Sequence, residues 1–168
     1  TVNTGVADEY ALDIKFPFPV KVDGAWMAMN QGAAGSDFEF LLYSGTTALQ
    51  TVTVDGNAIG VLGARLIEVI FPEETLTANT LYRIAIRPTT ANSVSVYSYD
   101  VNQAAFLDLV PGGQAFAYST RLNQGAWSAT TTTRRLFGGV RISSLDDGVS
   151  AGGGAILAGA GIGLVAGL

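Results

Sequence analysis

The stretch YALDIKF, residues 10–16, decides the fold class of this chain. Its even-numbered positions hold large apolar side chains, namely Tyr10, Leu12, Ile14 and Phe16. The positions between them hold Ala11, Asp13 and Lys15. A repeat of two residues is that of a β-strand, whose successive side chains point to opposite faces of a sheet. Pro17 and Pro19 end the predicted strand, because proline has no amide proton to donate to a neighbouring strand.

The same alternation recurs along most of the chain, and no long window repeats with the period of a helix. Turn signals at Ser44-Gly45 and Asp55-Gly56, and prolines at Pro72 and Pro88, separate the runs. Roughly eight or nine short strands joined by turns are typical of a sandwich. The sequence therefore predicts an all-β fold, a single antiparallel β-sandwich or jelly roll, with Val101 to Leu109 as a weak helix candidate.

The phase of each strand predicts which side chains point inward. In the second strand, for example, Val22, Gly24 and Trp26 are predicted to point to the same face. Eleven apolar residues in phase with their strands are predicted to form one core: Leu12, Ile14, Trp26, Phe38, Phe40, Val69, Ile84, Ile86, Val96, Val140 and Ile142.

The composition describes a packed protein with few charges. Its 168 residues suit one domain, and 48% hydrophobic residues make the chain too apolar to be disordered. Only 14% of the residues are charged, which favours contact with other subunits over a free monomeric surface. The first residues lack the basic stretch and apolar run of a signal peptide, so we expect none in them.

Charge and residue types exclude several functions. A net charge of -5 with only 9 lysines and arginines gives no basic footprint for a phosphate backbone, so no nucleic acid partner is expected. The absence of cysteine excludes disulfides and thiolate metal sites. The absence of histidine removes the commonest general base and zinc ligand. We therefore expect no enzyme, no catalytic residues, no metal and no cofactor.

Paired carboxylates occur at Glu73-Glu74 and Asp146-Asp147. Either pair could supply an acid and a base or a calcium site. Neighbouring residues of a strand point to opposite faces, however, and Glu73-Glu74 follows Pro72 in what we expect to be a turn. Neither pair is a good candidate for catalysis.

Tyr97 and Tyr99 are candidate sugar-stacking residues. They are predicted to share one face of a strand, and aromatic faces suit the apolar faces of carbohydrates. Aromatic residues more often belong to cores and interfaces, and this structural interpretation is favoured here.

The chain is predicted to divide into an N-terminal arm at residues 1–9, a β-sandwich at 10–145, a linker at 146–154 and an apolar glycine-rich C-terminal arm at 155–168. The sequence around the linker, SSLDDGVSAGGG, holds glycines that neither a strand nor a helix accommodates at low cost.

The segment AGGGAILAGAGIGLVAGL, residues 151–168, carries no charge. As a helix it would place small residues on one face, as membrane helices do, but its many glycines disfavour a helix. As an extended segment it has an apolar face and a glycine-rich face. An intersubunit arm is favoured over a membrane or lipid segment and over a flexible tail, because an exposed apolar strand aggregates unless other subunits cover it. The candidate assembly residues are Ile156, Leu157, Ile162, Leu164, Val165 and Leu168.

The segment LTANTLYRIAIRPTT, from Leu76 to Thr90, resembles an L-T-A-G-T-x-Y strand segment of bacterial and phage jelly-roll domains. Asn79 stands in place of the glycine, as asparagine can at a left-handed turn position. PGGQ, from Pro111 to Gln114, and STRLNQGAWSATTTTRRLFGGVRISSLDDG, from Ser119 to Gly148, resemble a group of proteins encoded among the structural genes of tailed bacteriophages. The resemblance spans Tyr10 to Gly148 and carries no catalytic or ligand signature.

That resemblance implies a virion component, such as a capsid decoration protein or a head or tail fibre. The leading hypothesis is a structural protein of a phage-like virion, anchored to neighbouring subunits and forming a homo-oligomer. The alternative is a carbohydrate-binding module of a tail fibre or cell-surface protein, with surface glycans as partners and an extracellular location. A membrane partner is disfavoured, and it is left open for the C-terminal arm alone.

Overall fold

A computed structural model describes residues 7–31, 37–59, 64–89, 94–100, 116–129 and 134–145. Most of them belong to strands. Along the chain the elements are β1 (Glu9–Ile14), β2 (Val20–Gln31), β3 (Phe38–Ser44), β4 (Thr47–Val54), the single turn α1 (Gly56–Ile59), β5 (Arg65–Leu76), β6 (Tyr82–Pro88), β7 (Val94–Val96), β8 (Ser98–Asp100), β9 (Phe116–Arg121), β10 (Arg134–Leu136) and β11 (Gly138–Leu145).

The strands form two main sheets with antiparallel pairing. The five-stranded sheet has the order β4-β3-β6-β1-β9, and the four-stranded sheet has the order β11-β2-β5 with β7 pairing the end of β2. Strands β10 and β8 form a small third sheet. The predicted antiparallel β-sandwich is confirmed. Strand β1 begins at Glu9 and β11 ends at Leu145, close to the predicted bounds of the sandwich.

One apolar core lies between the two main sheets. Most of the predicted core is confirmed there, because Leu12, Ile14, Phe38, Phe40, Val69, Ile84 and Ile86 are buried in it. Val96 and Val140 are partly buried against it. Alternation of side chains along each strand therefore identified the inner face of both sheets.

Trp26 was wrongly predicted to be in the core. The β2–β5 ladder shifts its register between Val22 and Gly24, so the inward set of side chains changes phase and continues at Ala25. A shift of one residue exchanges the two faces of a strand. Trp26 therefore lies half-buried on the outer face of the four-stranded sheet.

Ile142 was also wrongly predicted to be in the core. Its side chain is 45% exposed. The β11–β2 ladder shifts its register on both sides of this residue, so the phase that places Val140 against the core does not extend to Ile142.

Strand β5 passes through Pro72, where the sequence predicted that it would stop. The proline is tolerated because β5 lies at an edge of its sheet and because the ladder with β2 is irregular there. Pro88, in contrast, ends β6 as predicted.

Two turns use backbone conformations with positive φ. Gly45, in the turn between β3 and β4, has φ of 61°, as the Ser44-Gly45 signal predicted. Asn79, before β6, has φ of 56°, and its amide donates to Phe16 O at 2.7 Å. The expected left-handed asparagine is confirmed. The weak helix candidate from Val101 to Leu109 lies outside the described residues.

Candidate functional site

The paired carboxylates at Glu73-Glu74 point to different partners. Glu73 lies 3.3 Å from Lys21 Nζ and accepts a hydrogen bond from Ser143 Oγ at 2.7 Å. These two contacts hold the pKa of Glu73 below its usual value. Glu74 instead accepts a 2.6 Å hydrogen bond from Gln50 on β4. The two carboxylates therefore do not converge on one site, as expected of neighbours on a strand.

Other candidates for chemistry are also missing from the part of the chain that the structure describes. Within the described ranges no group of three or more acidic or histidine side chains could hold a metal ion. No helix among those residues is long and apolar enough to span a membrane. Asp146 and Asp147 lie outside the described residues.

A row of alternating charges crosses the outer face of the five-stranded sheet. Arg121 Nη2 lies 2.6 Å from Glu9 Oε1, and Arg87 Nη1 lies 3.7 Å from the same oxygen. Arg87 also binds Glu39 Oε2 at 2.7 Å from its Nη2 atom. The four side chains come from four adjacent strands, in the order β3, β6, β1 and β9. Opposite charges placed directly across strands stabilise this pairing of the strands.

A second ionic group lies along the same face. Arg83 Nε is 3.1 Å from Asp13 Oδ1, and Ser119 Oγ donates to the same carboxylate at 2.6 Å. Asp13 and Glu9 are both fully buried. Ion pairs at this depth cost desolvation, so they specify one arrangement of the strands more than they add net stability.

Trp127 covers both ionic groups. It follows β9 and turns back to bridge Arg121, so that its ring lies 5.0 Å from the guanidinium carbons of Arg83 and Arg121. Its ring also packs edge-on against Tyr43 at 5.5 Å between centroids. We call Glu9, Asp13, Tyr43, Arg83, Arg87, Ser119, Arg121 and Trp127, together with Glu39, the ionic cluster.

Small residues make room for this arrangement. Ala11 and Ala85 are opposite each other on β1 and β6, and both are completely buried beneath the cluster. Tyr43 reaches across to accept a 3.1 Å hydrogen bond from Arg121 Nη2. Burial raises the pKa of Tyr43 to about 12, with the Glu9 carboxylate adding to the effect and Arg121 opposing it.

The ionic cluster is charge-balanced, and two of its carboxylates, Glu9 and Asp13, are fully buried while Glu39 and Arg87 are partly exposed. Its three arginines face three carboxylates, and its members contact each other through the pairs already described. Glu9 Oε2, Arg121 Nε and Trp127 Nε1 are buried without a hydrogen-bond partner among the described residues. A buried polar atom without a partner costs free energy of folding. Loss of any contact that the cluster does make is therefore expected to be destabilising.

Exposed apolar side chains stand on the outer face of the four-stranded sheet, with the exposed Glu68 between two of them. Leu66 and Ile70 of β5 are 61% and 63% exposed. Their side chains point away from the core because they occupy the even-numbered positions of the strand, whereas Val69, which faces the core, occupies an odd-numbered one. Their lateral neighbours on β2 are small, since Ala28 is opposite Leu66 and Gly24 is opposite Ile70. These two side chains therefore stand above the surface of the sheet.

Two aromatic rings continue this surface. Along β2, Trp26 lies between the two residues that are opposite Leu66 and Ile70. Its ring meets that of Phe137 edge-on, with 5.8 Å between the ring centroids. The Trp26 indole lies flat over Gly139, where an added Cβ would come within 2.9 Å of its Nε1 atom. Phe137 is 49% exposed. We call Trp26, Leu66, Ile70 and Phe137 the apolar face.

The members of the apolar face lie on one side of one sheet, and the exposed Glu68 stands between Leu66 and Ile70. Single exposed apolar side chains are ordinary in soluble proteins, whereas contiguous ones mark surfaces of interaction. Covering Leu66 and Ile70 would contribute on the order of 1 kcal/mol each, given that each is already partly buried. This face is the best candidate for a binding surface among the described residues.

The two candidate sugar-stacking residues lie beside this face. Tyr97 is 41% exposed and separates β7 from β8, and its amide donates to Ala28 O at 3.0 Å. Tyr99 is 53% exposed and lies opposite Arg135 in the small sheet. The structure therefore leaves both rings accessible, with Tyr97 in the break between β7 and β8 and Tyr99 within β8.

The six candidate assembly residues, from Ile156 to Leu168, lie outside the described residues. Neither the ionic cluster nor the apolar face was found by sequence reasoning. Asp13 was assigned to the face of its strand opposite the apolar positions, and only the pairing of strands shows that Arg83 lies beside it. Trp26 was assigned to the core because the register shift carries no clear sequence signal.

The chain was also compared with known proteins. No family model, no curated protein and no solved structure matches it.

Proposed function

We propose that this chain is a non-catalytic structural protein that assembles with other subunits of a phage-like particle through the apolar face. It would be a homo-oligomeric component of the capsid decoration or fibre type. The observation that carries the proposal is the apolar face, where Leu66, Ile70 and Phe137 lie on the same side of the four-stranded sheet and are each about half exposed or more.

The ionic cluster supports a structural role. Its carboxylates are engaged by arginines, and Trp127 packs over two of those arginines, Arg83 and Arg121. A general acid or base must be accessible to a substrate, and Glu9 and Asp13 are completely buried. The cluster therefore specifies the pairing of strands in the five-stranded sheet, and the apolar face offers a surface for contact with other subunits.

The resemblance of Ser119 to Gly148 to phage-encoded structural proteins supports placement in a virion. Composition supports it as well, since a chain with 14% charged residues is suited to burial among other subunits. A uniformly charged, open surface would instead favour a free monomer.

The test is the oligomeric state of the full chain, measured by size-exclusion chromatography with light scattering. We expect a defined oligomer that Leu66→Lys converts to a monomer, because a buried lysine charge is costly at an interface. Leu122→Lys is the matched control. Leu122 is 63% exposed, like Leu66, but follows the end of β9 in the other sheet. A monomeric full chain, or equal effects of both variants, would contradict the proposal.

Placement in a virion needs a second measurement. Antibody against the chain should label intact particles from its native source in negative-stain images. Labelling confined to cell surfaces would contradict the virion and favour the alternative.

The exposure of Tyr97 and Tyr99 favours one alternative, a carbohydrate-binding module on a fibre or cell surface. Aromatic rings accessible beside a sandwich face can stack on sugars. In a glycan array, retained binding by the parent chain with loss on Tyr97→Ala would support this function. Leu122→Lys should leave such binding unchanged.

A further inference from the structure

We propose that the outer face of the four-stranded sheet binds the same face of a second copy of this chain, related to the first by a two-fold axis. The inference rests on the proposed function and names the partner of the apolar face. The register of β2, β5 and β11 determines which side chains lie side by side on this surface.

Three of the apolar side chains lie on a diagonal across the sheet. Phe137 O accepts a hydrogen bond from the amide of Ala28 at 2.7 Å, so Phe137 lies beside the residue two positions after Trp26 on β2. Ile70 is opposite Gly24, which is two positions before Trp26. Because alternate residues of a strand share a face, Phe137, Trp26 and Ile70 form a line from the β11 side of this face to the β5 side.

One acidic and one basic side chain flank this diagonal. Glu68 is opposite Trp26 on β5, and Arg141 is opposite Gly24 on β11. An added Cβ on Gly24 would lie 3.4 Å from the Cβ atom of Arg141, so the arginine side chain lies on the same face as Trp26. With β2 between their strands, the backbones of Glu68 and Arg141 are about 10 Å apart across the sheet. The two charges therefore lie on opposite sides of the diagonal.

Both charged side chains can accept a further partner. Glu68 is exposed and makes no ion pair or hydrogen bond with the residues that the structure describes. Arg141 Nε lies 3.1 Å from Asp23 Oδ1, and the Arg141 side chain is 46% exposed. A guanidinium has several N–H donors, so the Nη1 and Nη2 atoms of Arg141 can bind a second carboxylate.

A two-fold axis along the diagonal makes this face complementary to itself. The rotation turns the face over and exchanges its two sides, so Glu68 of each copy faces Arg141 of the other. Phe137, Trp26 and Ile70 lie near the axis and pack against the same residues of the second copy. Sheets packed face to face lie about 10 Å apart, a distance that a glutamate and an arginine side chain bridge together.

The exposed carboxylate selects this partner over a wholly apolar one. An apolar surface that covered Trp26 and Ile70 would desolvate Glu68 without pairing it, which costs free energy. The two-fold contact instead buries the apolar side chains and pairs the charge in one step.

Charge reversal tests this proposal on the full chain, with self-association measured by sedimentation equilibrium. Glu68→Arg brings like charges together in both contacts, and so does Arg141→Glu. We expect either variant alone to raise the dissociation constant at least about tenfold, because like charges facing each other across an interface are costly. An equimolar mixture of the two variants should associate within about threefold of the parent, because every contact then joins opposite charges.

Thr51→Arg is the control for a change of net charge. Thr51 is exposed on β4 of the other sheet, so this variant should shift the dissociation constant by less than about threefold. A mixture of Glu68→Arg and Arg141→Glu that associates no better than either variant alone would overturn the proposal.

A second measurement does not depend on Arg141, whose replacement also removes its contact with Asp23. The chain has no cysteine, so Ile70→Cys introduces a single thiol close to the axis. A bismaleimide that spans about 10 Å should link copies of this variant at least about tenfold faster than copies of Thr46→Cys. Thr46 is exposed in the turn between β3 and β4 of the five-stranded sheet. Equal rates of cross-linking would overturn the two-fold arrangement.

The failure of this inference can be told from a failure of the proposed function. If Leu66→Lys abolishes the oligomer but the mixed charge variants do not associate and Ile70→Cys is not cross-linked, the apolar face drives assembly against a different surface. The two-fold contact is then overturned and the proposed function stands. If the full chain is a monomer, both proposals are overturned.

Discussion

The two outer faces of the sandwich differ in which kind of side chain they bury and which they expose. The outer face of the five-stranded sheet carries charges, yet Glu9 and Asp13 are completely buried beneath Trp127 and paired with arginines. The outer face of the four-stranded sheet carries apolar side chains, yet Leu66 and Ile70 are more than half exposed. Carboxylates that composition would assign to solvent are therefore buried, and apolar side chains that it would assign to a core are exposed.

This difference separates the residues that hold the fold from those available for binding. Paired charges in a closed cluster favour one register of the strands, because a shift of one residue would separate each carboxylate from its arginine. Apolar side chains at an open surface contribute little to the isolated sandwich and become stabilising when a partner covers them. Substitutions on each face and the effect of alkaline pH test this division.

The largest expected effect is that of Arg121→Met. Removal of the guanidinium leaves Glu9 fully buried with Arg87, at 3.7 Å, as its remaining ion-pair partner, so we expect the free energy of unfolding to fall by about 3 kcal/mol. Urea denaturation followed by circular dichroism measures the change. Arg134→Met is the matched control, because its partner Asp100 is exposed and the pair is screened by water. Equal losses for the two variants would show that the cluster has no special role.

Trp127→Leu is expected to cost less, about 2 kcal/mol, because Trp127 is only partly buried. Leucine keeps an apolar cover but lacks the π face above Arg83 and Arg121. Trp127→Phe keeps a π face and should lose less than Trp127→Leu in the same denaturation experiment. The reverse order would mean that the contacts with the two guanidinium groups do not stabilise the fold.

Alkaline pH should weaken the sandwich through Tyr43 and Tyr118. Burial raises the pKa of each to about 12, whereas the unfolded value is about 10. Above pH 10 the native state therefore holds protons that the unfolded state has lost. The stability these groups contribute is full below about pH 10 and declines as the pH rises toward 12.

Ultraviolet absorbance of the tyrosinate form measures this ionisation directly. Tyr43→Phe should remove part of the change near pH 12. If the absorbance change near pH 12 has the same amplitude in Tyr43→Phe as in the parent, Tyr43 does not titrate there. Its burial beside Glu9 would then not raise its pKa.

The smallest expected effect on stability is that of Leu66→Lys. The side chain is 61% exposed on an edge strand, where lysine is well tolerated, so the free energy of unfolding should change by less than about 1 kcal/mol. The same substitution is expected to abolish assembly. A large loss of stability would mean that Leu66 belongs to the fold, and the contrast between the two faces would fail.

Sequence reasoning predicted the sandwich and most of its core. The alternation through Leu12 and Ile14, and again through Ile84 and Ile86, was sufficient, because a strand with one buried face repeats every two residues. The left-handed turn at Asn79 was expected from the resemblance of Leu76 to Thr90 to a segment with glycine at this position, because asparagine can take the same conformation.

Other features could not be predicted from the alternation. Trp26 turned outward because the ladder shifts its register near Gly24, where an added Cβ would lie 2.6 Å from Val69 O. Strand β5 continued through Pro72 because it lies at an edge of its sheet. Both outcomes depend on the neighbouring strand, which lies far away in the sequence.

The sequence by itself determined that the chain forms antiparallel strands with one apolar face each, because side-chain period and turn chemistry are local properties. Only the tertiary structure decided what the opposite faces do. Strand order brought Glu9, Arg87 and Arg121 together from separate parts of the chain, and it placed Leu66 and Ile70 beside Trp26 at an open surface. Such contacts depend on which strands pair and in which register, and the period of a single strand carries no information about either.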